Sequence, residues 1–355
     1  MKALVLAGGA GTRLRPFSHS MPKQLVPIAG KPVLFHALDA LRATGITEAG
    51  IIVSGTDAAI RASVGDGSRF DMTVTYLPQD RPRGLAHCVM IARDFLADDD
   101  FVMYLGDNIF AEGIAGPVGA FVRDRAAAQL VVTKVMDPSQ YGVAELDATG
   151  RVTALEEKPA HPRTDLAVTG LYCFTPEIHE AVGRIEPSWR NEFEITDAVR
   201  WLVDQDRPVR AELLSGYWAD TGTLADLLEC NRVLLEGITG AVHGTVDSRS
   251  RISGPVVIEA GTTIEGSTIT GPAIIGAGCA IVDSHVGPFT SLGTRCTLTA
   301  AGVEHSILMD DASVHGVRLQ KGSIIGRAGK VSQGGSGAAS HRLLIGDDSR
   351  VEVPA

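Results

Sequence analysis

The sequence predicts an α/β chain in two parts, an open, mostly parallel sheet flanked by helices and then a parallel β-helix. Three observations carry this. The chain has 355 residues, 45% hydrophobic and 21% charged, which is about two domains at ~150 residues each. Its first part alternates short aliphatic runs with helix-like stretches. Its last part repeats an aliphatic residue at every fifth or sixth position.

The first part is read in order. Residues 3–7 form a short buried run, 33–43 a helical pattern, 51–54 and 74–77 further runs, 86–96 a second helical pattern and 101–105 another run. That βαβ rhythm calls for a parallel sheet covered on both faces, with ligands at the carboxyl ends of the strands. Beyond residue 240 the composition changes. Of the Phe, Trp and Tyr residues only Phe289 lies there, and glycine becomes denser. Ile258, Ile264, Ile269, Ile275, Ile281, Val286, Leu292 and Leu298 recur with small or turn-forming residues between them. This is the hexapeptide pattern of a solenoid of about 4 or 5 coils in which each aliphatic stacks on the next. A sandwich would alternate with period two and use more aromatics. The boundary is set at residues 1–240 and 241–355, and the glycine-rich stretch 329–340 reads as a loop.

A net charge of −10 argues against a broad grip on nucleic acid, which takes a basic face. Cys88, Cys173, Cys230, Cys279 and Cys296 have no CxxC spacing, so neither a disulfide framework nor a zinc site is expected. No apolar run is long enough for a membrane span or a secretory leader, and a cytoplasmic location is the expectation.

Five segments could carry chemistry. The run Gly8-Gly9-Ala10-Gly11-Thr12-Arg13-Leu14-Arg15-Pro16 follows the first strand. Its glycines expose backbone N–H groups to phosphate, and Arg13 and Arg15 add charge. It is neither a dinucleotide fingerprint nor a Walker loop. In Met21-Pro22-Lys23-Gln24 the prolines fix a loop that holds Lys23 near the phosphates; Lys31, before a helix start, is read as solvated. Tyr76-Leu77-Pro78-Gln79 precedes Arg83-Gly84-Leu85-Ala86-His87. The Gln79 amide offers an acceptor and a donor side by side, matching thymine or uracil, with a Gly84 N–H for the remaining base oxygen; a flipped amide suits cytosine equally. His87 is read as a helix-face residue. Asp107, closing the run 101–105, and Asp220, in Trp218-Ala219-Asp220-Thr221-Gly222, are two carboxylates suited to Mg²⁺ shared with substrate phosphates. Tyr141-Gly142, Glu157-Lys158 and Val168-Thr169-Gly170 lie in a strand-rich insert and could supply a carboxylate to sugar hydroxyls, a lysine to a sugar phosphate and glycines that let a ring lie against backbone.

These motifs, with Glu194-Ile195-Thr196-Asp197, resemble the nucleotidyltransferase family that makes nucleotide sugars, and within it the long forms that carry a β-helix tail. The resemblance covers essentially the whole chain. It implies a Rossmann-like nucleotidyltransferase domain followed by a left-handed β-helix, and transfer of a thymidylyl group from dTTP to glucose 1-phosphate with Mg²⁺. It implies that Arg13, Arg15 and Lys23 stabilise the nucleotide phosphates, with Gly8, Gly9, Gly11, Thr12 and Gln24 beside them. Gln79 and Gly84 would read the base, Asp107 and Asp220 hold the metal, and Lys158 the sugar phosphate. Tyr141, Gly142, Glu157, Val168, Gly170 and Trp218 would contact the sugar. Arg190 is a suspected phosphate contact, although Asn191 stands where many members have glycine. A homo-oligomer is expected. The alternatives are a uridylyl donor or another sugar 1-phosphate, an added acyl transfer using His285, His305, His315 or His341 of the β-helix, and a non-catalytic subunit.

Overall fold

A computed structural model describes residues 1–9, 11–54, 57–319, 321–333 and 343–353. The chain divides into two compact units, Met1–Gly9 with Leu34–Asp220, and Ala10–Val33 with Thr221–Ala355. The division therefore does not follow a single cut near residue 240. The segment 10–33 groups with the β-helix because its contacts, given below, are made there.

In the first unit, Lys2–Leu6 is the central strand. Ala3, Leu4 and Val5 are fully buried, as a parallel strand covered on both faces must be. It pairs in parallel with Glu48–Val53 on one side and Phe101–Leu105 on the other, and Glu48–Val53 pairs in parallel with Thr73–Pro78. Beyond Phe101–Leu105 the sheet turns antiparallel through Leu166–Phe174, Gly142–Leu146 and Val152–Glu157. Ala128–Lys134 joins Leu166–Phe174, and Val209–Leu213 runs parallel beside it. The expected parallel sheet thus forms its amino-terminal part, and the strand-rich insert completes it as a mixed sheet.

The helix Val33–Ala43 has the bounds its pattern gave, and its residues Leu34, Ala37, Leu38 and Leu41 are buried. The run 86–96 instead forms two helices, Leu85–Ile91 and Arg93–Leu96, broken at Ala92. The order of strands has one consequence for function. From Lys2–Leu6 the chain first adds strands on one side and then, with Phe101–Leu105, on the other. This reversal opens a crevice at the carboxyl ends of those two strands, where Gly106 N–H donates to Leu6 O at 2.9 Å.

The second unit is a three-sided stack of parallel strands, the arrangement of the expected left-handed β-helix. Among the described residues, two of its sheets have seven strands and the third four, so the solenoid is longer than its repeat suggested. All eight aliphatics of the repeat are buried. Ile258 sits over Ile275 and Leu292, and Ile264 over Ile281 and Leu298. A serine ladder secures one corner, with Ser267 N–H donating to Ser250 Oγ, Ser284 N–H to Ser267 Oγ and Ala301 N–H to Ser284 Oγ. Of the expected loop at 329–340, Lys330–Gln333 is a strand, and residues 334–340, like His341, lie outside the described residues.

The segment after the glycine loop has no long helix. It forms three single 3-10 turns, Thr12–Leu14, Phe17–His19 and Lys23–Leu25. Lys31 and Pro32, expected at a helix start, close a small hairpin with Pro27 and Ile28. Its two turn residues, Ala29 (φ 45°) and Gly30 (φ 81°), take the left-handed region that a type I′ turn requires. The segment is fastened to its unit at several points. Asn231, on the helix Leu224–Glu236, is fully buried. Its Oδ1 accepts from Ala29 N–H (2.9 Å) and from Ser291 Oγ (2.6 Å), while its Nδ2 donates to Phe289 O (3.0 Å). Ser20 Oγ donates to Asp347 at 2.7 Å.

Replacing Asn231 by leucine keeps the branched shape of the side chain but leaves Ala29 N–H, Ser291 Oγ and Phe289 O without this partner. Asn231→Leu is expected to lower unfolding free energy by about 3 kcal/mol, read by denaturant titration. A loss below about 0.5 kcal/mol would show that this side chain does not hold the segment.

Candidate functional site

In the first unit the predicted residues meet in a connected set centred on Asn108. The strand Phe101–Leu105 ends at the crevice, Gly106 turns the chain, and Asp107 follows, half-buried. Asn108 then opens Asn108–Phe110, which pairs antiparallel with Trp218–Asp220, so that Asn108 lies opposite Asp220. The Asn108 Nδ2 donates to Asp107 Oδ1 at 3.0 Å, and its Oδ1 accepts from Trp218 Nε1 at 2.6 Å. The backbone thus brings the two predicted metal carboxylates to neighbouring positions, and the buried amide orients one of them. Among the described residues, no cluster of three or more His, Cys, Asp or Glu could hold a metal by itself.

Asn108 also explains a glycine. A Cβ on Gly170 would lie 2.3 Å from Asn108 Oδ1. The absent side chain of Gly170 is therefore required by a protein amide, not by a sugar ring as the sequence suggested. Gly142 is similar, since its Cβ would meet Thr196 Cγ2 at 2.7 Å. Val168, expected at the sugar, puts its side chain in the apolar core.

The other predicted sugar residues do come together. Tyr141 packs edge-on against Trp218 with ring centroids 5.7 Å apart, and Tyr141 O accepts from Lys158 N–H at 3.0 Å. Lys158 takes φ 44° at the end of its strand and leaves its side chain exposed. Glu157 accepts from Thr196 Oγ1 at 3.1 Å. Arg190 stands among three carboxylates, Glu157 (3.6 Å), Glu192 (3.3 Å) and Glu194 (3.3 Å), so the suspected phosphate contact is engaged with acids. Asn191 takes φ 60°, a conformation asparagine tolerates in place of glycine. Burial first, then the neighbouring Glu194, pushes the Glu157 carboxyl above its usual range. Burial does the same to Glu194, against hydrogen bonding from Ser188 and the charge of Arg190.

Of the residues expected to read a base, Gln79 continues the sheet, its N–H donating to Val53 O at 2.8 Å. Its side chain is buried, with Nε2 3.2 Å from His87 Nδ1 and 3.4 Å from Cys88 Sγ. Gly84 precedes Leu85–Ile91 at φ 96°, and a Cβ there would lie 2.3 Å from Phe193 O. Close backbone contact alone thus demands this glycine.

In the second unit, Gly11 (φ 60°) lets the glycine loop close on Lys23, whose Cβ would be 2.9 Å from a Cβ at Gly11. Lys23 is held against Gly11 of the loop. Thr12, Arg13 and Arg15 are exposed. Gln24 is buried and its Oε1 has no hydrogen-bond partner among the described residues. Ala10 lies outside them.

Sequence reasoning gives no role to Asn108, which follows Asp107, or to Glu194, which stands within a quoted motif. The signal for Asn108 was the polar residue directly after a strand-ending aspartate. For Glu194 it was a carboxylate four residues from Arg190.

Comparison with known proteins places these features in context. A family model described as nucleotidyl transferase matches residues 2–237. The glucose-1-phosphate thymidylyltransferase of Streptomyces griseus is 52% identical over 353 residues, covering 99% of both chains. A UTP–glucose-1-phosphate uridylyltransferase of Haloferax volcanii is 37% identical over 245 residues, covering 68% of this chain and 100% of its own. A solved sugar nucleotidyltransferase structure from Bacillus anthracis, in complex with sucrose, is 32% identical with a TM-score of 0.63, covering 68% of this chain and 97% of that one.

The Glu157 and Glu194 carboxyls give a stability test. With folded pKa values above the unfolded ones, the folded state takes up protons first as pH falls, so their cost is greatest at neutral pH and is relieved as pH drops through the raised values. Removing one acid with Glu194→Gln should make the variant's Tm, relative to wild type, rise between about pH 4.5 and 7.5. A difference independent of pH would mean that the two carboxyls do not strain the fold.

Proposed function

We propose that this chain, which belongs to the nucleotidyl transferase family, transfers a thymidylyl group from dTTP to glucose 1-phosphate, giving dTDP-glucose and pyrophosphate. The observation that carries this reading is the match at 52% identity, over both units, to a relative of that name. A phosphate oxygen of the sugar attacks the α-phosphorus; the bond from that phosphorus to the bridging oxygen breaks, and the electron pair leaves with pyrophosphate. No covalent enzyme intermediate is needed, so the chain's work is to align two anions and neutralise their charge.

Arg13, Arg15 and Lys23 are assigned to the nucleotide phosphates, as are the backbone N–H groups of Gly8, Gly9, Gly11 and Thr12. Lys158, exposed and fixed by its backbone bond to Tyr141, is assigned to the sugar phosphate. Glu157, Tyr141 and Trp218 take the sugar, and Gln79 the base. The carboxylates of Asp107 and Asp220 fit Mg²⁺, since that ion takes one or two protein carboxylates and completes its shell with phosphate oxygens and water, and Asp107 is already oriented by Asn108. When bound, the ion supplies charge neutralisation at the phosphates. We assign the enzyme to the cytoplasm, in keeping with five buried cysteines that form no disulfide, and to a homo-oligomer.

A second reading, uridylyl transfer, is supported by the Haloferax volcanii relative and by the Gln79 amide, whose hydrogen-bonding groups match thymine and uracil alike. Pyrophosphate release with Mg²⁺, glucose 1-phosphate and each of dTTP, UTP, CTP, GTP and ATP separates the two. A preference for dTTP supports the first reading, equal or better use of UTP the second, and no release with any nucleotide overturns both.

Asp107→Ala should fold normally and lose at least ~100-fold in turnover. Near-normal turnover would remove the metal assignment.

A further inference from the structure

The Gln79 amide poses a choice that the sequence left open. Presented one way it accepts from the N3–H of thymine or uracil; turned over, it donates to the N3 of cytosine. Its two buried neighbours decide which way it stands. Cys88 Sγ faces Gly84 O at 3.7 Å and gives its proton there, leaving the sulfur to accept from Gln79 Nε2 at 3.4 Å. His87 Nδ1, 3.2 Å from the same nitrogen, accepts when the ring is neutral with its proton on Nε2. Both N–H bonds of the amide are then engaged, and Oε1 points to the other side. There it would lie 3.1 Å from a Cβ on Gly8, the first glycine of the loop at the sheet's crevice. The amide therefore faces that crevice as an acceptor only, where the sequence suggested a donor and an acceptor together.

We infer that His87 is a specificity-determining positioning residue, which by accepting from the Gln79 amide turns Gln79 Oε1 toward the nucleobase and makes the enzyme reject cytosine. The inference rests on the assignment of Gln79 to the base. The thiol of Cys88 is a weaker partner than the ring, so the orientation depends chiefly on His87. The ring is half-buried and stacked on Phe193, with centroids 6.4 Å apart. The charged groups facing it are Arg83, which together with burial favours the neutral ring, and Asp80, which opposes them. Cys88, pushed up to about 12 by burial, carries no charge. Protonation of His87 puts a hydrogen on both ring nitrogens and turns the amide round.

The test is the ratio of kcat/KM for dTTP to that for dCTP, with Tm and the KM for glucose 1-phosphate as controls for folding. His87→Leu removes the acceptor and should lower the ratio about tenfold. His87→Lys, a donor only, should lower it further, while His87→Glu, an acceptor only, should preserve it. In the wild type the ratio should fall as pH drops below the ordinary histidine value of 6.5 and stay flat with pH in His87→Leu. Gln79→Leu separates the two levels of the argument. If it lowers the ratio while the His87 variants and pH do not, the role of His87 is overturned and the assignment of Gln79 stands. If Gln79→Leu leaves the ratio intact, Gln79 does not read the base and both fall.

Discussion

The arrangement of the first unit depends on one buried amide. Asn108 uses its side chain in two directions, donating to Asp107 and accepting from Trp218, while its backbone pairs with the strand that carries Asp220. A buried amide left half-satisfied would be costly, so these contacts are mutually required. The carboxylate is held where the metal is assigned, and the indole where it can wall the sugar with Tyr141. Gly170 follows from the same constraint, because no other residue leaves room for the amide.

The sheet supplies the place for this hub. Strands are added first to one side of Lys2–Leu6 and then to the other, and the crevice left by that reversal receives Gly8 and Gly9 from one strand end and Asp107 from the other. Gln79 extends the next strand but one and lies against Gly8. Backbone topology thus fixes where Gln79 and Asp107 stand, and His87 and Asn108 contact their side chains there. In the second unit the same division of labour holds. The stacked aliphatics build a rigid solenoid, and Asn231 and Asp347 tie to it the segment bearing Arg13, Arg15 and Lys23.

Legibility in the sequence followed the range of the interactions. The solenoid repeat and the helix Val33–Ala43 were readable because their signals are local periodicities, and every aliphatic named in the repeat is buried. The break at Ala92 was not readable, since an apolar stretch of that length gives the same pattern whether one helix or two. The motifs contain Asp107, Lys158 and Trp218, yet they do not show the packing reasons for Gly170 and Gly84 or the burial of Val168 in the core. Asn108 and Trp218 are 110 residues apart, and a glycine in a sequence does not say whether a ligand or a distant asparagine needs the space. The buried state of Gln24 and the approach of Glu157 to Arg190 were invisible for the same reason.

If Asn108 organises the site, the metal should report it directly. Mn²⁺ affinity in the presence of dTTP, followed by electron paramagnetic resonance, is the most direct measurement, comparing the wild type with Asn108→Ala. The account predicts a loss of at least about tenfold, the usual effect of removing a group that orients a metal ligand, in a variant that remains folded. Unchanged affinity in the folded variant would contradict it.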